Sequence, residues 1–175
     1  ILHLVILNIR PAKSAKKYQK IWTNPNDKSP LISLCQSLLY QLKQQPYSTK
    51  NNLQFALGMR YGNPSISGSL EDLRDKGCDH IIVLPLYPQY SKTTTESTFF
   101  EVSKITNKWQ NMPKILHINN YHDNGSYIDT LASSIMAFQD RNGVPDKLLI
   151  SEHSICECYV DNIDCNYKRV ETTTR

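Results

Sequence analysis

His153, Tyr87, Tyr90 and Arg60 are the side chains whose chemistry and spacing point to a site. An imidazole accepts a proton near neutral pH and binds a borderline metal ion through one nitrogen. Tyrosine combines apolar ring area with a polar tip, which suits packing on a flat aromatic ligand. The planar fork of arginine pairs with a carboxylate. Each residue also has a plain reading: a histidine closing a turn, tyrosines packing a proline-rich loop, a surface arginine. Gathered on one edge, they describe a pocket for a flat ligand with carboxylates and a base or metal ligand beside it.

The elements that must position them follow from pattern and punctuation. The opening apolar segment ends at Arg10-Pro11, read as a turn into a helix over about 12–22. Ser29 can cap and Pro30 can start a helix over about 30–44. The polar stretch QQPYSTKNN leads into LQFALGM, read as a strand, and RYGNPSISGS follows as a loop. SLEDLRDKG reads as a helix stopped by Gly77, DHIIVLPL as a strand and TTESTFFEVSKITNKW as a helix. KILHIN is the next strand, and GSYIDTLASSIMAFQDRNG is a helix stopped by Gly143. DKLLIS is a last strand, running into Ser151-Glu152-His153.

Alternating strands and helices imply βαβ units and a parallel sheet flanked by helices, an α/β fold. Ligands of such sheets sit at the carboxyl ends of the strands. There the chain places Arg60-Tyr61-Gly62-Asn63-Pro64, Tyr87-Pro88-Gln89-Tyr90-Ser91, Asn119-Asn120-Tyr121-His122 and His153. That edge is the expected site.

Composition removes other classes. The 175 residues are one domain's worth of chain, 39% hydrophobic and 21% charged, with a net charge of +4. The basic residues are scattered, and the densest run, KSAKKYQK at 13–20, reads as a solvated helix face, so no nucleic-acid partner is expected. No G-x-G-x-x-G follows a strand, which removes the main support for a nucleotide. No apolar run reaches the roughly 18–20 residues of a membrane span, and ILHLVIL lacks signal-peptide features. A cytoplasmic protein is expected. Five cysteines fit free thiols in a reducing compartment, with Cys35 and Cys78 at or near the core. Cys156, Cys158 and Cys165 beside His153 match no standard zinc spacing, and a structural metal stays open.

LGMRYGNPSI, VLPLYPQYSKTTTES and LLISEHSI, in this order and at these separations, resemble ferrochelatase, the family that inserts ferrous iron into a porphyrin. YQKIW…SPLISL and the tail from Asp164 to Arg175 resemble it too, so the likeness covers almost the whole chain. It implies a flavodoxin-like (class II chelatase-like) fold, a parallel sheet with helices on both faces, in two similar halves around a porphyrin cleft. Residues 1–175 then read as one domain, the first half truncated at both ends, running into the second at about 164–175. The second half would supply the acidic residue opposite the histidine.

Residue by residue, the likeness puts the family's active-site histidine on His153, as catalytic residue and iron ligand. It puts porphyrin contacts at Tyr18, Ser29, Arg60, Tyr61, Tyr87, Tyr90 and Ser91. It implies iron insertion into protoporphyrin IX to make haem, with porphyrin and Fe²⁺ as substrates. No further cofactor is required by it, and an iron–sulfur cluster stays open. The chain departs from the family at Cys156, where proline follows H-S-I, and at Ile163-Asp164-Cys165-Asn166, in place of G-D-P-Y. Asp27-Lys28 replaces the usual Gly-Gly before Ser-Pro. A non-catalytic tetrapyrrole-binding remnant and a chelatase for another tetrapyrrole remain the alternatives.

Overall fold

Residues 7–22, 29–153 and 166–174 are described by the computed structural model of the chain. The cysteines at 156, 158 and 165 lie outside them, as does Asp27-Lys28. Two compact units, Ile1–Leu73 and Arg74–Arg175, divide the chain, with the boundary in the last turn of a helix.

The first unit is helical. Helix α1 spans Leu7–Gln19 and contains Pro11, which the sequence placed in a turn before the helix. Proline there is tolerable because only the first turn precedes it, so a single backbone bond is forfeited. Helix α2, Pro30–Gln44, matches its expected bounds and has Pro30 in its first turn. The polar stretch after it forms a short helix α3, Pro46–Lys50.

The expected strand at LQFALGM is not formed. Its one pairing is a parallel bridge between Met59 and Ser65. An apolar alternation marks a half-buried strand, yet a strand exists only with a neighbour to pair with, and this segment finds none among the described residues. Helix α4, Ile66–Asp75, begins a few residues before the expected start and buries Ile66 and Leu70. At Gly58 the chain passes close to that helix, and a Cβ there would stand 3.1 Å from the Ile66 Cα, tighter than most such contacts.

The second unit contains a βαβ unit. Strand β1, His80–Val83, pairs in parallel with β2, Lys114–His117, in the register Ile81↔Ile115 and Val83↔His117. A parallel pair needs a crossover. Here that is a π-helical turn, Lys92–Glu96, continuing into α5, Ser97–Thr106. Helix α5 buries Phe99, Val102 and Thr106, a stripe at helical spacing. On the strands, Ile81 is buried, whereas Ile82 and its partner Leu116 are exposed. Helix α6, Gly125–Asn142, is capped by the Asn124 side chain, which accepts from the Tyr127 N–H, and ends at Gly143 with φ 87°.

DKLLIS is likewise not a strand. Residues 146–151 carry no regular structure, and Leu148, Leu149 and Ile150 are exposed. The sheet among the described residues is therefore two parallel strands with helices, an α/β arrangement smaller than expected. Helix α7, Asn166–Thr174, closes the described chain. Among the described residues no helix is long and apolar enough to cross a membrane.

Candidate functional site

In the first unit, Tyr18 stands in the last turn of α1, 65% exposed. Ser29 precedes α2 in the expected place, but its hydroxyl makes no capping bond. Its carbonyl instead accepts from the Ser33 N–H at 3.1 Å. Arg60 and Tyr61 occupy a loop closed by the Met59 N–H to the Pro64 carbonyl at 2.7 Å, with Gly62 at φ 84°. The Arg60 guanidinium lies 4.8 Å from the centre of the Tyr61 ring, and that ring is 79% exposed. A cationic fork and a presented aromatic face therefore share one loop, as carboxylate pairing and ring stacking require. A cavity of about 350 Å³ in this unit is lined by Gln36, Leu39, Phe55, Leu57, Ser69 and Asp72 among others.

In the second unit, the carboxyl ends of β1 and β2 lead into two loops that are tied together. The Ile118 N–H donates to the Val83 carbonyl and the Tyr121 N–H to the Pro88 carbonyl, both at 3.0 Å. The first loop carries Tyr87, half-exposed, and Tyr90, whose hydroxyl donates to Glu96 Oε2 at 2.6 Å. Arg169 from α7 sits 5.4 Å from the Tyr90 ring centre and donates to the Tyr90 carbonyl at 3.2 Å.

Ser91, buried, exchanges hydrogen bonds with the hydroxyls of Thr94 at 2.6 Å and Thr93 at 3.1 Å. Its carbonyl accepts the N–H of Glu96, five residues on, and this forms the π-helical turn. Ser91 thus organises the turn, and its hydroxyl is engaged within it.

The second loop carries Tyr121 and His122. His122 Nδ1 is buried without a hydrogen-bond partner and lies 3.9 Å from Asp123 Oδ1. Tyr121 meets Tyr127 edge to face at 5.2 Å. Burial raises the pKa of both phenols. The neighbouring Tyr127 adds to the effect on Tyr121, and the Glu152 carboxylate adds to that on Tyr127. At the end of β2, His117 stacks on Phe99. Burial lowers the His117 pKa, and the negative charge of Glu96 opposes that.

His153 is exposed and lies in an irregular segment, not directly after a strand as the sequence implied. Its neighbour Glu152 acts electrostatically on Tyr127, in the first turn of α6. Of the four loops expected on one edge, the structure puts two at the carboxyl ends of paired strands, those of Tyr87–Tyr90 and of Tyr121–His122. The Arg60 loop and His153 do not follow strands. Among the described residues no group of three or more His, Cys, Asp or Glu could hold a metal ion.

Sequence reasoning missed Glu96, Arg169 and Thr173 as partners of the tyrosine loop. Glu96 carried a local signal, since it lies six residues after Tyr90 at the head of a helix. Arg169 and Thr173 carried none.

Comparison with known proteins leads to the same family. The family described as Ferrochelatase matches residues 1–175. A ferrochelatase of Hydrogenovibrio crunogenus is 44% identical over 165 residues, covering 94% of this chain and 44% of its own length. A ferrochelatase of Photobacterium profundum is 43% identical, covering 99% of this chain and 52% of its own. A coproporphyrin III ferrochelatase of Symbiobacterium thermophilum is 38% identical, with 99% and 53% covered. The chain thus spans about half the length of the curated relatives it matches. With its family matched from end to end and its tyrosine loop built at the carboxyl end of a parallel strand, the chain belongs to the ferrochelatase family.

Proposed function

We propose that the protein inserts ferrous iron into a porphyrin, a lyase reaction of haem synthesis. Family membership over residues 1–175 carries this reading. Metallation displaces two pyrrole protons, so it needs a neutral base close to the ring face. His153 is assigned that role, or that of a ligand handing on the iron, and its exposure leaves the imidazole accessible. Tyr87 and Tyr61, both exposed, are assigned to packing on the macrocycle, and Arg60 to a carboxylate. Tyr18 and Ser29 are assigned to the same ligand. Tyr90 and Ser91 shape the loop that presents Tyr87, supported by their internal bonds. Rigid loops of this kind can hold a flat ring bent, which exposes its nitrogen lone pairs.

The finer fold belongs to the same proposal: residues 1–175 form the first of two flavodoxin-like halves, helices cover both sheet faces, and the second half begins at about 164–175. The parallel β1–β2 pair with its helical crossover supports it. Insertion is assigned to the protein as a whole, and to this stretch the porphyrin contacts and His153.

Iron insertion into protoporphyrin IX, giving haem, or into coproporphyrin III, giving its iron complex, followed without oxygen in the full-length protein, tests the reading. His153→Ala should lose insertion by about 10²–10⁴-fold while porphyrin fluorescence quenching persists. Near-normal insertion in that variant would remove His153 from the chemistry. A non-catalytic tetrapyrrole binder is the second reading, favoured by Cys156 and Cys165 in place of rigid prolines. It predicts quenching without haem in the unmutated protein.

A further inference from the structure

Three consecutive residues of the tyrosine loop, Pro88, Gln89 and Tyr90, are each held from outside the loop. The Pro88 carbonyl accepts from the Tyr121 N–H at 3.0 Å. Gln89 Nε2 donates to Thr173 Oγ1 at 3.0 Å. The Thr173 hydroxyl in turn reaches the His122 carbonyl at 3.2 Å and the Arg169 carbonyl at 3.0 Å. Tyr90 is held three ways: its hydroxyl by Glu96, its carbonyl by Arg169 and its ring by the same guanidinium.

Two of these anchors come from one face of α7, because Arg169 and Thr173 are four residues apart. Both are partly buried, where charge-assisted and hydroxyl bonds are screened less than on the open surface. A guanidinium over the Tyr90 ring also occupies a face that a flat ligand would otherwise use. Tyr87, by contrast, is 43% exposed.

We propose that Arg169 and Thr173 are positioning residues that lock the loop from α7, so that Tyr87, and not Tyr90, is the ring laid against a flat ligand. The nature of the ligand rests on the porphyrin reading above, whereas the lock itself does not. Arg169 acts through Tyr90, and Thr173 acts through Gln89 and the His122 carbonyl. Neither touches the ligand.

Amide hydrogen exchange at Tyr121, whose N–H donates to the Pro88 carbonyl, tests the lock without any ligand. Thr173→Val keeps the side-chain shape and removes the hydroxyl, and Arg169→Lys keeps the charge and removes the fork. Exchange at Tyr121 should rise by about tenfold in each, with exchange in the core of α5 unchanged. Unchanged exchange in Thr173→Val and in Arg169→Lys overturns the proposal whatever the ligand does.

Titration with protoporphyrin IX tests the positioning. Tyr87→Ala should weaken binding by about tenfold in the unmutated background and by much less in Arg169→Lys. A merely structural role for Arg169 predicts additive effects, and additivity overturns the proposal. Equal, negligible binding by the unmutated protein and by Tyr87→Ala would sink the porphyrin reading, while the exchange measurement still decides the lock.

Discussion

His117 and Phe99 lie ring on ring, their centroids 4.2 Å apart and their planes within 4°. The contact joins the end of β2 to the buried stripe of α5, so Phe99 covers one face of an imidazole that is otherwise exposed. Burial lowers its pKa, with Glu96 opposing. The folded protein therefore binds fewer protons at this site than the unfolded chain just below the ordinary value of 6.5. The corresponding stability is fully present above that pH and is lost as pH falls towards the folded value. The melting temperature should fall more steeply from pH 7 to pH 5 in the unmutated protein than in His117→Gln. Parallel curves would show that the histidine does not titrate in this way.

Phe99→Ala should destabilise the second unit by about 3 kcal/mol, the usual effect of truncating a buried aromatic. Phe99 is only 7% exposed, and among the described residues of this unit the other buried hydrophobic side chains are Ile81 and Val102. Phe99→Leu should recover much of the loss. Urea midpoints at pH 7.5 measure both, and an effect of Phe99→Ala below about 1 kcal/mol would contradict the packing described.

Gly143→Ala should lower stability by about 1–3 kcal/mol. Its φ of 87° and ψ of 158° at the end of α6 lie where L side chains are strained. Gly125→Ala, in the first turn of the same helix, meets nothing within 4 Å and has no such φ. It should be neutral or slightly stabilising, and thermal melts of the pair separate backbone strain from helix propensity.

Tyr61→Ala should leave stability within about 0.5 kcal/mol, since the ring is 79% exposed. On the proposed function it should still weaken porphyrin binding. Calorimetry and fluorescence titration on one preparation check both halves. Unchanged affinity would withdraw Tyr61 from the site.

Much of the helical structure was legible in the sequence because its signals are local. Pro30 and a 3.6-residue apolar period predict α2 from 30 to 44, where it lies. Gly143 stops α6 as its position implied, and the runs HIIV and KILH form the paired strands. LQFALGM and DKLLIS misled because apolar content shows that a segment avoids water, not that a partner strand stands beside it. The loop of Tyr87 and Tyr90 was legible at the carboxyl end of a strand because it comes soon after the run HIIV. Arg169 and Thr173 were invisible because their partners lie 79 and 84 residues away, and no spacing rule reaches that far.

That distance also governs when the loop can become ordered. Closing a loop of this length carries a large entropic penalty before any bond is formed. During synthesis β1 and its tyrosines emerge well before α7. Chains grow at about 5–20 residues per second, so the tyrosine loop waits for several seconds before its anchors exist. Through that interval the nascent chain displays its aromatic loop without the contacts from α7. Ribosome-bound chains with α7 still inside the exit tunnel should accordingly be cut by protease within residues 84–91, and chains long enough to expose α7 should resist.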